Sequence, residues 1–144
     1  MSLLLEGLKR LTREFVYERG KAYGGSEFAN WVRRDLAIEA KKYLIFLPHE
    51  LNVKASVGAG NWAAVPWLAF FDPLITTSAT KGFYVVYLIN PQDLSFNLSM
   101  NQGTTEVFNE FGEKRGEDIL RRRALDMRER VAEFASKFSR LRTH

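Results

Sequence analysis

The 144-residue chain contains no cysteine. That absence excludes a disulfide framework, a thiolate zinc site and a cysteine nucleophile. Histidine is almost missing: only His49 and the terminal His144 occur. A histidine metal cluster or a His-based triad would therefore rest on His49 alone, which reads as a plain loop residue. No Gly-Lys-Ser/Thr sequence occurs, which excludes a phosphate-binding P-loop. Gly58-Ala59-Gly60 lacks the third glycine of a dinucleotide loop. Glu39-Ala40-Lys41 matches the tail of a nuclease carboxylate motif, but it sits in a helical pattern without the Pro-Asp strand such a motif needs, and reads as chance. No run of 18 apolar residues exists, so no membrane span is expected. The start, Met-Ser-Leu-Leu-Leu followed by Glu6, Lys9 and Arg10, lacks the features of a secretory signal, and a cytoplasmic protein is the expectation. No catalytic residue, metal site or cofactor is assigned.

What is present suits a folded domain. Hydrophobic residues make up 46% and charged residues 26%, an ordinary globular balance. A chain of this size buries about 68% of its extended surface on folding, enough for a core without staples. Lys and Arg number 21 against 17 Asp and Glu, for a net charge of +4. This mildly basic balance is compatible with nucleic acid.

Three zones appear along the chain. In residues 3–47, Leu4, Leu8, Leu11 and Phe15 mark one stripe of an amphipathic helix. Gly20 and Gly24-Gly25 break it. Ser26 is placed to cap a second helix through about Tyr43, with Phe28, Val32, Leu36 and Ala40 on its inner face. In residues 51–100, Leu51 to Val57 alternate apolar and polar, as a strand with one buried face does. Trp67 to Phe71 reads as a short strand after Pro66. Phe83 to Ile89 reads as a central strand, joined through a turn at Asn90-Pro91-Gln92-Asp93 to an alternating strand from Leu94 to Met100. In residues 117–142, Leu120, Ala124, Met127, Val131, Phe134, Phe138 and Leu141 form a helical seam. That seam either packs on the rest of the chain or joins copies as a coiled coil. The expected class is α+β: a curved, mainly antiparallel or mixed sheet with helices from both termini packed on it. Residues 1–144 are expected to form a single domain.

The chemistry concentrates in residues 53–103. Trp62 and Trp67 flank a polar glycine loop, and Tyr84 and Tyr87 lie on a neighbouring strand. Gly58 and Gly60 permit positive φ or close backbone approach, as a loop meeting a phosphate backbone needs. Indole and phenol rings offer faces on which a base stacks. The same rings also serve simply to fill a core. Between Lys114 and Arg142, ten basic residues face five acidic ones. Arg121, Arg128 and Arg142 share a helical phase, which makes either a phosphate-contacting face or a solvated surface with i,i+4 ion pairs.

Three ordered blocks make the stretch familiar: VKASVGAGNWAAVPWLAFFD from Val53 to Asp72, ITTSATKGFYVVYL from Ile75 to Leu88, and LSMNQG from Leu98 to Gly103. Together they resemble the signature of the McrB-like N-terminal domain family, with residues 3–47 and 117–142 as helical flanks consistent in kind. The resemblance implies the DNA-binding part of a modification-dependent (type IV) restriction system. Such a domain binds double-stranded DNA carrying a modified cytosine such as 5-methylcytosine and flips that base into an aromatic pocket. A GTP-hydrolysing motor domain and a separate nuclease subunit are the partners it implies, and neither lies in this chain. Carried over by position, the pocket is Trp67, Tyr84 and Leu88. The loop and backbone contacts are Gly58, Ala59, Gly60, Asn61 and Trp62, with Lys54 and Lys81. Tyr84 and Leu88 share a strand face but stand about 13 Å apart in an ideal strand, so they hold opposite ends of a pocket or the strand bends. Ala59 departs from the pattern: the family's best-known member has a duplex-wedging tyrosine between the two loop glycines. Either Trp62 takes that role, or the flip depends less on intercalation. The runners-up are a structural or oligomerising module built on the 117–142 seam, and a small nuclease with dispersed carboxylates.

Overall fold

The computed structural model describes residues 3–48 and 50–135. His49, Phe138, Leu141, Arg142 and His144 lie outside those residues, and so does the side chain of Phe134. The elements are α1 (Leu3–Glu18), α2 (Glu27–Trp31), a π-helical turn (Val32–Leu36), α3 (Ala37–Lys42), β1 (Asn52–Gly58), β2 (Trp62–Phe71), β3 (Phe83–Asn90), β4 (Ser95–Gln102) and α4 (Thr105–Ala135). The strands form one open antiparallel sheet in the order β1-β2-β3-β4. Each strand pairs with its neighbour in sequence. The α+β class holds, and the sheet is antiparallel throughout. Chain contacts divide the molecule into two compact units: Met1–Phe70 with Val86–Asn97, and Phe71–Val85 with Leu98–His144.

In the first unit the helical stripes make the core. Leu8, Leu11 and Phe15 of α1 are buried, with Leu4 packed beside them. Ser26 caps α2, its hydroxyl accepting from Ala29 N at 3.1 Å. This satisfies one of the donors that a helix start leaves open. Phe28, Val32, Leu36 and Ala40 are all buried. The helical path from α2 to α3 keeps them on one side despite the π turn. The helices rest on β1, where Ala55 and Val57 face the core and Lys54 faces away. Trp62, Leu68 and Phe70 of β2, Tyr87 and Ile89 of β3, and Phe96 of β4 join the same cluster. Each fully buried Leu or Phe here stabilises the fold by about 1.5–3 kcal/mol.

In the second unit, the segment between β2 and β3 is fastened by its own side chains. Asp72 Oδ1 accepts from Leu74 N at 3.0 Å, and Asp72 O accepts from Ile75 N and Thr76 N at 2.8 and 2.9 Å. Buried Thr76 donates to Ser78 O at 3.0 Å. Gly103 N donates to Gly82 O at 2.8 Å. A Cβ on Gly103 would stand 2.1 Å from Lys81 N, so only glycine lets these segments meet. Gln102 Nε2 donates to Leu120 O at 2.7 Å and ties α4 to β4. Leu120, Ala124, Met127 and Val131 are half-buried, and the last three line a groove with Phe83 and Met100. The described part of the seam therefore packs within its own chain.

Three boundaries differ from the sequence reading. β2 starts at Trp62 and runs through Pro66, although proline gives no donor to the ladder. Leu94 belongs to the turn and not to β4: its φ is 55° and its side chain is exposed. Asn90 Oδ1 holds that turn by accepting from Gln92 N at 2.9 Å. Finally, α4 begins at Thr105, and Gly112, at φ 79° and ψ 174°, interrupts it. The helical pattern is legible only after that break.

Candidate nucleic-acid interface

Residues 58–61 form a tight turn between β1 and β2. Gly58 sits at φ 137°, and a Cβ there would lie 1.9 Å from Asn61 O. Its close approach is thus spent closing the turn itself. Tyr23 Oη donates to Gly58 O at 2.6 Å, and Gly58 N donates to Ser56 Oγ at 3.0 Å. The pinned turn exposes Ala59, Gly60 and Asn61. Gly60, at φ 77°, has open space where a side chain would be.

The two tryptophans of β2 have different surroundings. Trp62 points into the helical core, where its ring meets Phe15, Tyr23 and Phe28 at centroid distances of 6.0, 5.0 and 6.5 Å. Its indole N–H donates to Lys21 O at 2.8 Å. A ring held this way fastens the N-terminal helices to the sheet and is not poised as a wedge. Trp67 lies on the opposite face of β2 from Leu68 and Phe70, by the alternation of the strand. It is half-buried. Among the described residues its ring stacks on no aromatic side chain and its N–H meets no acceptor.

Leu88 is half-buried on β3, on the face turned away from the cluster that holds Tyr87 and Ile89. It lines an open cleft of about 580 Å³ with Arg19, Val65, Asn90, Gln92 and Asn97. In the second unit, Tyr84 is half-buried with its ring 5.1 Å from that of Phe71. Burial pushes its phenol above the usual value of 10.0, and a hydrogen bond from the Asn101 side chain partly offsets that rise. Ser99, buried on the same strand, donates to Asn101 Oδ1 at 2.8 Å. Sequence reasoning gave Ser99 and Asn101 no role. Their signal was the alternation of β4, which sets both opposite Phe96 and Met100.

The cations are at the surface. Lys54 and Lys81 are exposed on β1 and on the segment before β3. On α4, Arg122 pairs with Asp118 and Arg130 with Asp126, each at 3.0 Å. The i,i+4 reading thus accounts for those two. Arg121 is exposed, and Arg128 borders the groove that holds Met127. Among the described residues no group of three His, Asp or Glu side chains could hold a metal ion, and no helix is long and apolar enough to cross a membrane.

Fold and site define a small α+β domain whose Trp67 indole lies half-buried on the strand face opposite Leu68 and Phe70. The chain belongs to the MrcB-like N-terminal domain family, whose model matches residues 10–143. Membership makes it a DNA-binding domain of a McrB-type restriction system, a binding part and not a catalytic one. No curated protein matches the chain.

Proposed function

We propose that this domain reads a modified cytosine, such as 5-methylcytosine, in double-stranded DNA by flipping the base onto Trp67. Tyr84 and Leu88 are the further pocket residues. The observation that carries this reading is the indole of Trp67, half-buried and without a ring or hydrogen-bond partner among the described residues. Extruding a base costs a few kcal/mol. Stacking on an aromatic ring returns about 1–3 kcal/mol, and edge hydrogen bonds supply the remainder. The methyl group adds about 0.8 kcal/mol of apolar burial, so preference among modified cytosines rests on small changes in the pocket.

Ala59, Gly60 and Asn61 face the DNA backbone in this proposal, with Lys54, Lys81 and Arg121 neutralising phosphates. Trp62 is left out of the contact surface because its ring and N–H are committed to the core. Ala59 fills no vacated stack, so the flip draws little on intercalation from this turn. A GTP-hydrolysing motor and a nuclease subunit are the proposed working partners in the cytoplasm.

The test is a titration of two duplexes that differ only in one cytosine methyl group. Wild type is expected to prefer the methylated duplex. Trp67→Ala is expected to weaken that binding by about 10-fold or more and to remove the preference, the loss of one stacked base. Equal binding of both duplexes, unchanged in Trp67→Ala, refutes the pocket.

A further inference from the structure

The open cleft of about 580 Å³ beside Leu88 lies wholly within the first unit. Among the described residues that line it, Arg19 is charged and none carries a carboxylate. Arg19 follows the last residue of α1, where its N donates to Phe15 O at 2.9 Å. Its guanidinium stands 5.9 Å from the centre of the Phe15 ring, and Phe15 is fully buried. The ring face thus gives the cation a fixed neighbour. The adjacent carboxylate is already taken, because Glu18 pairs with Lys21 at 3.2 Å. Arg19 itself meets no carboxylate among the described residues. Three exposed carboxamides, Asn90, Gln92 and Asn97, line the same cleft. Asn90 Oδ1 accepts from Gln92 N at 2.9 Å, which leaves the Nδ2 group, a donor only. Among the described residues no hydrogen bond engages the side chain of Gln92 or Asn97. Val65 and Leu88 supply apolar lining.

We propose that this cleft holds a stretch of DNA backbone, with Arg19 on a phosphate and the three carboxamides donating to phosphate and sugar oxygens. It rests on the DNA-binding role of the family and not on the Trp67 pocket. Phosphate oxygens only accept, so one cation and a set of uncommitted donors match them with no acid to repel them. Carboxamides also read base edges, but that needs the oxygen and the nitrogen of one amide together. Asn90 has already committed its oxygen to the turn. The faces of deoxyribose are apolar enough to rest against Val65 and Leu88. Such a contact sets the register of the domain on the duplex and carries no sequence information of its own.

Titrations of methylated and unmethylated duplexes over a range of salt test the cleft. Arg19→Gln is expected to weaken both duplexes alike, by about 5- to 10-fold, and to lower the steepness of log K against log salt by about 1. Arg19→Lys keeps the charge and is expected to keep the slope. A second readout needs no substitution: the side-chain amide resonances of Asn90, Gln92 and Asn97 are expected to shift when unmethylated duplex is added. A slope unchanged in Arg19→Gln, or carboxamide resonances that stay in place at saturation, overturns the cleft. A loss in Arg19→Gln that differs between duplexes of different base sequence also overturns it, because the cleft then reads base edges. A slope lowered equally in Arg19→Lys does the same, since the loss then comes from the Phe15 contact and not from charge. If Trp67→Ala removes the methyl preference and Arg19→Gln changes nothing, the cleft fails while the stacking pocket stands. The opposite pair of results removes the pocket and keeps the cleft.

Discussion

Trp62 and Trp67 stand five positions apart on one strand, and their opposite fates show what a residue's surroundings decide. An odd separation on a strand puts two side chains on opposite faces. Trp62 therefore enters the aromatic cluster of Phe15, Tyr23 and Phe28, and Trp67 does not. The two turn glycines contrast in the same way. A Cβ on Gly58 would collide with Asn61 O at 1.9 Å, whereas one on Gly60 would meet open space. Gly60→Ala is expected to cost only the left-handed backbone penalty, about 1–2 kcal/mol. Gly58→Ala is expected to cost more, because backbone must move as well. Thermal unfolding of the two variants checks the order, and equal losses would contradict it. Neither contrast is legible in the sequence. The letters show two tryptophans and two glycines around one loop, and only three-dimensional neighbours separate the ring with aromatic partners from the ring without them.

Among the elements, the helices were the most legible. A 3.6-residue period marks buried faces directly, and the stripes through Phe15 and Ala40 fell where the spacing put them. The strands were legible where they alternate and obscured where a local breaker intervenes. Pro66 hid the first half of β2, and Leu94 continued the alternation of β4 while belonging to the turn. Gly112 hid the first turns of α4 in the same way. On α4 the structure also sorts the arginines. Arg122 is 3.0 Å from Asp118, whereas Arg121 is exposed and pairs with no carboxylate among the described residues. Arg121→Gln is expected to lower the slope of log K against log salt by about 1, the signature of one lost phosphate contact. Arg122→Gln is expected to leave the slope nearer to wild type. If both slopes stay unchanged, α4 has no phosphate role.

At the scale of the molecule, composition excluded much and assigned little. A chain without cysteine, with two histidines and a net charge of +4, is compatible with many binding modules. The family was legible because three spaced blocks, from Val53 to Gly103, carry it together, and the family match over residues 10–143 confirms it. The modification read was not legible, since about 0.8 kcal/mol of methyl burial leaves no motif. The central claim, a pyrimidine lying on the Trp67 indole, is open to direct observation by NMR of the target methyl group. A duplex carrying 5-methylcytosine with a carbon-13-labelled methyl at the target position is saturated with the domain, and its single methyl resonance is followed. The account predicts a second resonance, displaced upfield by the indole ring current and lost in Trp67→Ala. A resonance that stays at the free-duplex position throughout saturation would mean that the base never leaves its stack.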